Sequence, residues 1–531
     1  MKRALFWACA ACVLAAALWL RLPKLGERPF HADEAVHAEK FRKLWQGEGY
    51  TYDPNEFHGP TLYYATLPVM VWRGVRTFAE TREADYRLVP ALFGAALVLL
   101  PLGLTSRIGR KAALLAALLA AVSPAHVYYS RHYVQEMLLV FFSQAAFVCG
   151  ARYFSTRRPG WLLLAGASSG LMLASKENAV VVFAFAALGL WAAGRGADVR
   201  GHLWAGRRWV VAAALVGVVV ASLLLSGFGS NPRAPLDLVR SFAVWTKRGG
   251  SSEMHRHPAW YFLEVAFWSR REGGTPYTEG LIALLLVAGV AAVLRTRPAP
   301  RGEASGGAPS SRSLVLFYST VGVGMLAFYS AIPYKTPWCA VGFLNAMTVP
   351  AGVGAAALLN LRRGTLLRIV VAAALAAGFA HLARQAWELS FRYATSGRNP
   401  YAYAQTSPDV LNLAKRVEDL ARAHPNGNRM YVQILSDDGY CWPLPWYLRG
   451  MRNLWFATGP EAADPRVPVV LVSSSLDERV TKRLDATHLM TGYFGLRPGA
   501  IYECFVRMDL WARYLRTRAR PAEAPIDPRY E

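Results

Sequence analysis

Acidic side chains are scarce in this 531-residue chain, which has 35 Asp and Glu against 59 Lys and Arg. In a soluble protein the resulting formal net charge of +24 would favour a nucleic-acid partner. Two long stretches, residues 88–104 and 210–225, contain no charged residue. The Arg and Lys residues gather instead in short connections between apolar stretches, where membrane topology places them. We therefore expect a polytopic membrane protein with no nucleic-acid partner.

Cysteine is also rare, with six residues in the whole chain. Four of them lie in or beside apolar segments and are interpreted as packing residues. The other two, Cys441 and Cys504, lie in the polar C-terminal part. They either form a disulfide, if that part faces an oxidising compartment, or remain buried thiols.

Long apolar runs dominate what is present, with 54% hydrophobic residues and a mean hydropathy of +0.20. Each run approaches the ~17–25 residues that a membrane-spanning helix needs, and together they predict about eleven spans. The predicted extents are 4–22, 86–105, 112–128, 136–153, 159–175, 178–194, 209–228, 279–295, 314–332, 338–359 and 366–383. The first is interpreted as an uncleaved signal anchor, because Leu18 to Pro23 makes a poor cleavage site.

The positive-inside rule orients these spans. With a cytoplasmic N-terminus, every even-numbered connection is basic and almost free of acids, for example at Arg107, Arg152, Arg207, Arg295 and Arg368. The acidic residues near the first, fourth and fifth spans then face outward. The C-terminal part is also placed outside, on the extracytoplasmic face of the membrane.

Two segments outside the spans have their own character. Residues 59–78, within the predicted outer loop 23–85, are rich in Tyr and Trp, which suits a helix lying in the membrane interface. The chain after residue 390 alternates helical patterns (407–423, 477–484) with strand patterns (430–435, 467–472). We therefore divide the chain into a membrane domain, 1–390, and a small extracytoplasmic α/β domain, 391–531, which lacks a Gly-rich phosphate loop.

Asp33 and Glu34, just after the first span, are the main candidates for catalysis. Carboxylates at a membrane edge are costly unless a cavity, a partner or a function explains them. An Asp shielded from water can act as a general base, although helix capping would also explain the pair. Three nearby histidines raise the alternative of a divalent metal, which we favour less than a polar pocket lining: His31, His37 and His58.

Further polar clusters lie at the outer ends of other spans. Arg131, His132 and Glu136 lie between the third and fourth spans, where the Arg can pair with a phosphate. Lys176 and Glu177 interrupt an apolar run that is barely long enough for two spans, so their turn must lie near the outer membrane surface. Lys335 lies between two prolines at another outer end. Snorkelling, capping and interfacial anchoring are the competing interpretations of these clusters.

The order of these motifs resembles that of the GT-C membrane glycosyltransferases of the protein O-mannosyltransferase and aminoarabinose-transferase type (glycosyltransferase family 39). The resemblance rests on His31-Ala32-Asp33-Glu34, on Pro60-Thr61-Leu62-Tyr63-Tyr64, on Ser130-Arg131 followed by Glu136, and on the Lys176 turn. It covers about the first 390 residues. Within this group the chain looks most similar to the Agl23-like, flippase-activity-associated proteins of bacteria and archaea. One departure is His58-Gly59-Pro60, where family members often have a Lys.

The resemblance implies an inverting transfer of sugar from a polyprenyl-phosphate-linked donor to an acceptor hydroxyl of lipid A, a glycan or a protein. Asp33 matches the acid that activates the acceptor, and Glu34 is its neighbour. Arg131, Lys176 and Lys335 would hold the donor phosphate, and Tyr63, His132, Glu136 and Glu177 would complete the substrate site. No soluble cofactor is expected. The competing hypothesis is a lipid-oligosaccharide flippase or a non-catalytic subunit of one, although the sequence lacks the inverted repeat typical of transporters.

Overall fold

The computed structural model describes residues 1–55, 58–194, 199–251, 255–271, 276–295, 311–361 and 364–518. These residues form two compact units. The membrane unit comprises residues 1–26, 40–76 and 82–403. The C-terminal unit comprises residues 27–39, 77–81 and 404–531, so it includes the segment that carries Asp33.

The membrane unit is helical. Helix α2 begins in the C-terminal unit and ends in the membrane unit. The helices are α1 Arg3–Arg21, α2 Ala32–Trp45, α3 Thr61–Arg73, α4 Glu83–Leu97, α5 Thr105–Val122, α6 Pro124–Ser130, α7 Glu136–Thr156, α8 Pro159–Leu173, α9 Ala179–Gly194, α10 Val199–Ala205, α11 Arg207–Leu225, α12 Ala234–Ser251, α13 Tyr261–Phe267, α14 Gly280–Arg295, α15 Ser311–Ala331, α16 Ala340–Leu359 and α17 Thr365–Trp387.

Every predicted span overlaps one of these helices. Among the described residues, seven helical segments are long and apolar enough to cross a membrane, and α8, α9 and α14 are shorter apolar helices. One of the seven, Glu83–Val122, has 40 residues and covers two predicted spans. The number of spans therefore stays a prediction, as does the placement of α3 in the interface.

One predicted span ends earlier than expected. The run 112–128 is broken at Ser123, whose hydroxyl accepts a hydrogen bond from the His126 N–H at the start of α6. Pro124 follows at the first position of α6. Proline has no backbone N–H to donate, so it suits the first turn of a helix, where that N–H would have no partner within the helix. The cluster around His126 thus belongs to a separate short helix.

Small residues let the main helices approach closely. A Cβ on Gly289 of α14 would lie 2.1 Å from the Pro350 carbonyl oxygen of α16, and one on Gly354 would lie 2.0 Å from that of Leu285. Gly166 of α8 approaches α11 in the same way. Backbone-to-backbone packing of this kind is typical of helices associating in a membrane, where no hydrophobic driving force acts between them.

The C-terminal unit is a small α/β domain. Its remaining elements are α18 Asp409–Ala423, β1 Tyr431–Ser436, α19 Leu444–Tyr447, β2 Asn453–Thr458, β3 Val469–Ser473, α20 Asp477–Leu484, β4 His488–Arg497, β5 Ala500–Arg507 and α21 Met508–Thr517. The sheet order is β2-β1-β3-β5-β4, parallel from β2 to β3 and antiparallel from β3 to β4. Its core includes Val470, Val472 and Phe505 of the sheet, with Val480 and Leu484 of α20.

The α/β prediction for this domain is confirmed, including α18, β1, β3 and α20. The strands β2, β4 and β5 were not predicted, because each mixes polar residues into its apolar pattern and β4 also contains two glycines. Cys441 and Cys504 are both buried and form no disulfide.

Candidate active site

The turn between α8 and α9 places Lys176 in a buried position. Its ammonium group donates a hydrogen bond to the carboxylate of Glu136, the first residue of α7, and both residues are about 95% buried. The ammonium lies 5.9 Å from the ring centroid of Trp338, within cation–π range. Burial alone would lower the pKa of Lys176, but the charge of Glu136 outweighs it and raises that pKa. The lysine therefore stays charged.

Glu177, the next residue, is the centre of a second buried hydrogen-bond network. Its carboxylate accepts hydrogen bonds from the Tyr52 hydroxyl and the His58 Nδ1, each at 2.6 Å. Burial would raise the pKa of Glu177, but His58 and Tyr52 hold it below its usual range. The ring of His58 stacks on Trp245 at 5.3 Å. Sequence positions that are more than 100 residues apart thus converge on this turn.

Gly59 lets the backbone next to His58 approach the turn that carries Lys176 and Glu177. The Thr61 N–H donates to the Ala174 carbonyl oxygen at 3.3 Å. A Cβ added at Gly59 would lie 2.0 Å from the same oxygen. The segment that carries His58 therefore packs backbone to backbone against the Lys176 turn.

We expect Gly59→Ala to destabilise the protein by about 1–3 kcal/mol, because the added methyl group overpacks a contact with rigid backbone. Thermal unfolding of the purified chain measures this loss. Gly160→Ala, where a Cβ would meet nothing within 4 Å, is the matched control. A Gly59→Ala variant as stable as this control would contradict the close approach.

Tyr63 and Gln135 extend the site along α3. Tyr63 is fully buried, and its hydroxyl is hydrogen-bonded to the Gln135 side chain. Its ring lies 5.8 Å from that of Tyr50, whose hydroxyl donates to the His58 carbonyl oxygen. The Tyr-rich segment thus borders the Glu177 network.

Arg131 and His132 both contact backbone carbonyl oxygens. The Arg131 guanidinium donates to the carbonyl oxygen of Arg21, the last residue of α1, at 2.8 Å, and to those of Pro23 at 2.7 Å and Lys24 at 3.3 Å just beyond the helix. It also lies 4.3 Å over the ring of Phe391. His132 Nδ1 is 2.8 Å from the Tyr128 carbonyl oxygen. In these contacts Arg131 satisfies carbonyl groups at a helix C-terminus.

Lys335 lies in the loop between α15 and α16. Its ammonium donates to the carbonyl oxygens of His257, at 3.0 Å, and of Ile332. Burial lowers the pKa of Lys335. An ammonium group has three donors, so one remains beyond these two bonds among the residues the structure describes.

In the C-terminal unit, Asp33 and Glu34 have different surroundings. The Glu34 carboxylate is fully buried and accepts from the His31 N–H at 2.8 Å and from Arg28 at 2.9 Å. The Asp33 side chain is 42% exposed, and its nearest basic nitrogen, His31 Nδ1, is 3.8 Å away. That nitrogen accepts from the Asp33 N–H at 3.1 Å, and burial lowers the pKa of His31.

His37 lies one helical turn beyond Asp33, on the same face of α2, and is buried. Across the described ranges, no group of three or more His, Cys, Asp or Glu side chains is arranged to hold a metal ion.

Two buried networks gave no clear signal in the sequence. Arg21 is fully buried and donates to the Ala120 and Ala121 carbonyl oxygens, each at 2.9 Å, at the end of α5. Glu279 accepts from the Ser123 hydroxyl and, at 2.6 Å, from Tyr401. A lone Arg after a span and a lone Glu before one resemble ordinary topology signals. Only the tertiary structure shows that they join distant helices.

A small apolar cavity of about 30 Å³ lies beside Glu136, the partner of Lys176. Its walls come from α7, α9, α15 and α16, and its lining includes Glu136, Val182, Met325, Trp338 and Asn345. The membrane unit thus places a charged pair at the border of an apolar space.

The family model of dolichyl-phosphate-mannose-protein mannosyltransferase (PMT) matches residues 66–226, which include Arg131, Glu136, Lys176 and Glu177. A comparison with curated proteins finds no significant match. The structure is similar to ArnT from Cupriavidus metallidurans bound to undecaprenyl phosphate, with a TM-score of 0.61 and 16% identity over 93% of this chain and 97% of that one. The fold is that of the GT-C membrane glycosyltransferases.

A second GT-C structure is similar over nearly the whole chain. The oligosaccharyltransferase of Archaeoglobus fulgidus, tethered with an acceptor peptide, superposes with a TM-score of 0.56 at 12% identity, over 96% of this chain and 77% of that one. The predicted fold, a helical multi-pass membrane unit with a small C-terminal α/β domain similar to ArnT, is confirmed. The finer resemblance to Agl23-like proteins stays a prediction.

Proposed function

We propose that this chain transfers a sugar from a polyprenyl-phosphate-linked donor to an acceptor hydroxyl, with inversion at the anomeric carbon, on the outer face of a bacterial inner membrane. The observation that carries the proposal is the buried, charged Lys176 beside an apolar cavity. A cation is costly at such a place unless it meets a negative charge. Glu136 supplies one negative charge to Lys176, and a lipid-linked phosphate bound by the other ammonium donors would supply a second, together with an apolar chain.

The donor phosphate is assigned to the lysines of the membrane unit. Within the described part of the chain, Lys176 uses one of its three donors on Glu136, and Lys335 uses two on carbonyl oxygens. Their remaining N–H groups suit the phosphodiester oxygens. Neutralising these oxygens makes the phosphate a better leaving group, since the stabilisation grows as charge develops on it. The solved ArnT with bound undecaprenyl phosphate supports this donor class.

The buried network around Glu177, with His58 and Tyr63, is assigned to the sugar. The ionised Glu177 carboxylate and the His58 ring can form hydrogen bonds with sugar hydroxyl groups. Because both are largely buried, little water competes for these bonds. Arg131 and His132 are assigned a positioning role. Arg131 contacts backbone carbonyl oxygens at the end of α1, and His132 contacts one within α6.

Asp33 is assigned as the general base. Its carboxylate takes the proton of the acceptor hydroxyl while that oxygen attacks the anomeric carbon. The bond from this carbon to the phosphate oxygen breaks, and polyprenyl phosphate leaves with the electron pair. Glu34 and His31 hold the loop that carries Asp33, through the His31 N–H and the Asp33 N–H. His37 is assigned to the same acceptor side because it follows Asp33 by one turn of α2.

Purified full-length chain in lipid nanodiscs, supplied with radiolabelled polyprenyl-phosphate mannose or aminoarabinose and a membrane-extract acceptor fraction, tests the proposal. We expect label to move into the acceptor with inverted configuration and without added metal. Movement of the lipid between leaflets of proteoliposomes, with no transfer of label from any donor, would overturn it in favour of a flippase.

A further inference from the structure

The C-terminal ends of α1 and α17 border a groove that the reaction described so far does not use. Its volume is about 440 Å³, within the ~300–1,000 Å³ of typical ligand pockets. Its lining combines three aromatic residues, a proline and two cations: Trp19, Pro23, Lys24, Trp387, Phe391 and Arg392. Within the described residues, the groove shares no lining residue with the cavity beside Glu136. The membrane unit thus has a second concave site, both apolar and positively charged.

Arg131 joins the two walls of this groove. Its guanidinium donates to the carbonyl oxygens of Pro23 and Lys24 on one wall and lies 4.3 Å over the ring of Phe391 on the other. The carbonyl oxygens at a helix C-terminus carry partial negative charge, which would repel an anion. Because the buried Arg131 satisfies those that follow α1, it both fixes the walls and lowers this repulsion.

The second wall includes a turn of π-helix, Glu388–Arg392, that follows α17. The acid of this turn, Glu388, accepts a hydrogen bond from Arg384 at 2.6 Å, one turn earlier in α17. Arg392 is exposed, and its guanidinium lies 5.2 Å from the ring centroid of Tyr393. Since the nearby carboxylate is already paired with another arginine, the charge of Arg392 can serve an anion in the groove.

Two exposed tryptophans flank the cations. Trp19 is 63% and Trp387 is 42% exposed, and the Trp387 ring stacks on that of Phe391 with 6.0 Å between centroids. Tryptophan is enriched at the level of the lipid headgroups, where Lys and Arg side chains also extend while their stems cover apolar surface. This composition suits a ligand with an anionic head and apolar chains. In the predicted topology both helix ends face outward, so such a ligand comes from the outer leaflet.

We propose that the groove binds an anionic glycerophospholipid, whose phosphate contacts Lys24 and Arg392 and whose acyl chains lie along α1 and α17. Basic pockets between membrane helices suit the headgroups of anionic lipids. A guanidinium can bind a phosphate through paired hydrogen bonds, which fixes orientation as well as charge. The aromatic rings supply apolar contact for the glycerol and the first methylene groups. Arg131 is a positioning residue of this site, which does not depend on sugar transfer.

Native mass spectrometry of the full-length, delipidated protein in detergent tests the site. The probes are phosphatidylglycerol and phosphatidylcholine with identical acyl chains, added in equal amounts, because both contain a phosphate but only the first has a net negative charge. We expect the wild type to retain about tenfold more phosphatidylglycerol, as suits charge-assisted hydrogen bonds from two cations. Arg392→Gln and Lys24→Gln should each lose most of this preference, whereas Arg392→Lys should keep part of it.

Arg398→Gln is the matched control, because the Arg398 guanidinium also lies over the ring of Tyr393, at 6.0 Å, but does not line the groove. It should keep the full preference. Equal retention of the two lipids by the wild type, or a preference that survives the double variant Lys24→Gln/Arg392→Gln, overturns the proposal.

A third probe separates the phospholipid from a polyprenyl phosphate, which has the same anionic group. Undecaprenyl phosphate, added alone, should be retained by Arg392→Gln as it is by the wild type. If its retention falls in this variant while that of phosphatidylglycerol does not, the groove holds a polyprenyl phosphate and the proposal is wrong.

Discussion

Asp33→Asn should lower kcat for sugar transfer by about 10²–10⁴-fold, the usual contribution of a positioned general base. The substitution keeps the shape of the side chain but removes its ability to take a proton from the acceptor. Because Asp33 is assigned to the acceptor and not to the phosphate, the affinity for the lipid-linked donor should stay within threefold, on the order of 0.6 kcal/mol. Single-turnover transfer and direct donor binding measure the two effects separately.

Asp485→Asn is the control for this experiment, because Asp485 is an exposed carboxylate in the same unit, just after α20. Its rate should equal that of the wild type. Glu34→Gln separates the two adjacent acids. It keeps an oxygen that can accept from the His31 N–H but removes the ion pair with Arg28. We expect it to lower thermal stability more than Asp33→Asn does. A rate for Asp33→Asn within threefold of the wild type would rule this residue out as the base.

Much of the membrane unit could be predicted from the sequence, because each long apolar run produced a helix near the expected position. The period and length of such runs are local properties, and a bilayer leaves few alternatives for the backbone. The short helix α6 shows the limit of this reasoning. The predicted span 112–128 runs on into this helix, and only Ser123-Pro124 marks the break.

The candidate site was predicted as a set of residues but not as a set of contacts. Lys176 was identified because a charge interrupts an apolar run, whereas its partner could equally have been the adjacent Glu177. The structure pairs it with Glu136, 40 residues earlier, and pairs Glu177 with His58, 119 residues away. Pairings across such distances depend on how helices pack, which leaves no local pattern.

Arg131 shows a different gap between sequence and structure. As a residue type it suits a phosphate, but its described contacts are backbone carbonyl oxygens at the end of α1 and the ring of Phe391. Every residue offers a carbonyl oxygen, so a sequence gives no sign of where such acceptors remain unsatisfied. The same reason explains why Arg21 was missed. Helix ends inside a membrane protein need donors, and arginine supplies several at once.

The pair of Lys176 and Glu136 gives the prediction with the largest combined effect on stability and rate. Lys176→Met leaves the Glu136 carboxylate buried and unpaired, so we expect a loss of about 3–5 kcal/mol in the free energy of unfolding. Transfer should fall by about 10²–10³-fold, the effect of removing one donor to a developing negative charge. Lys482→Met is the matched control, because its pair with Glu478 on α20 is exposed and should contribute less than about 1 kcal/mol.

The double variant Lys176→Met/Glu136→Leu decides what the pair does. Replacing a buried ion pair by apolar residues of similar volume is often neutral or stabilising, so most of the lost stability should return. Activity should not return with it, because no cation is left for the phosphate. Denaturant unfolding measures the free energy of unfolding of each variant in this double-mutant cycle, and single-turnover transfer measures its rate. If rate and stability recovered together, the pair would only hold α7 to the turn before α9, and the donor phosphate would have to be bound elsewhere.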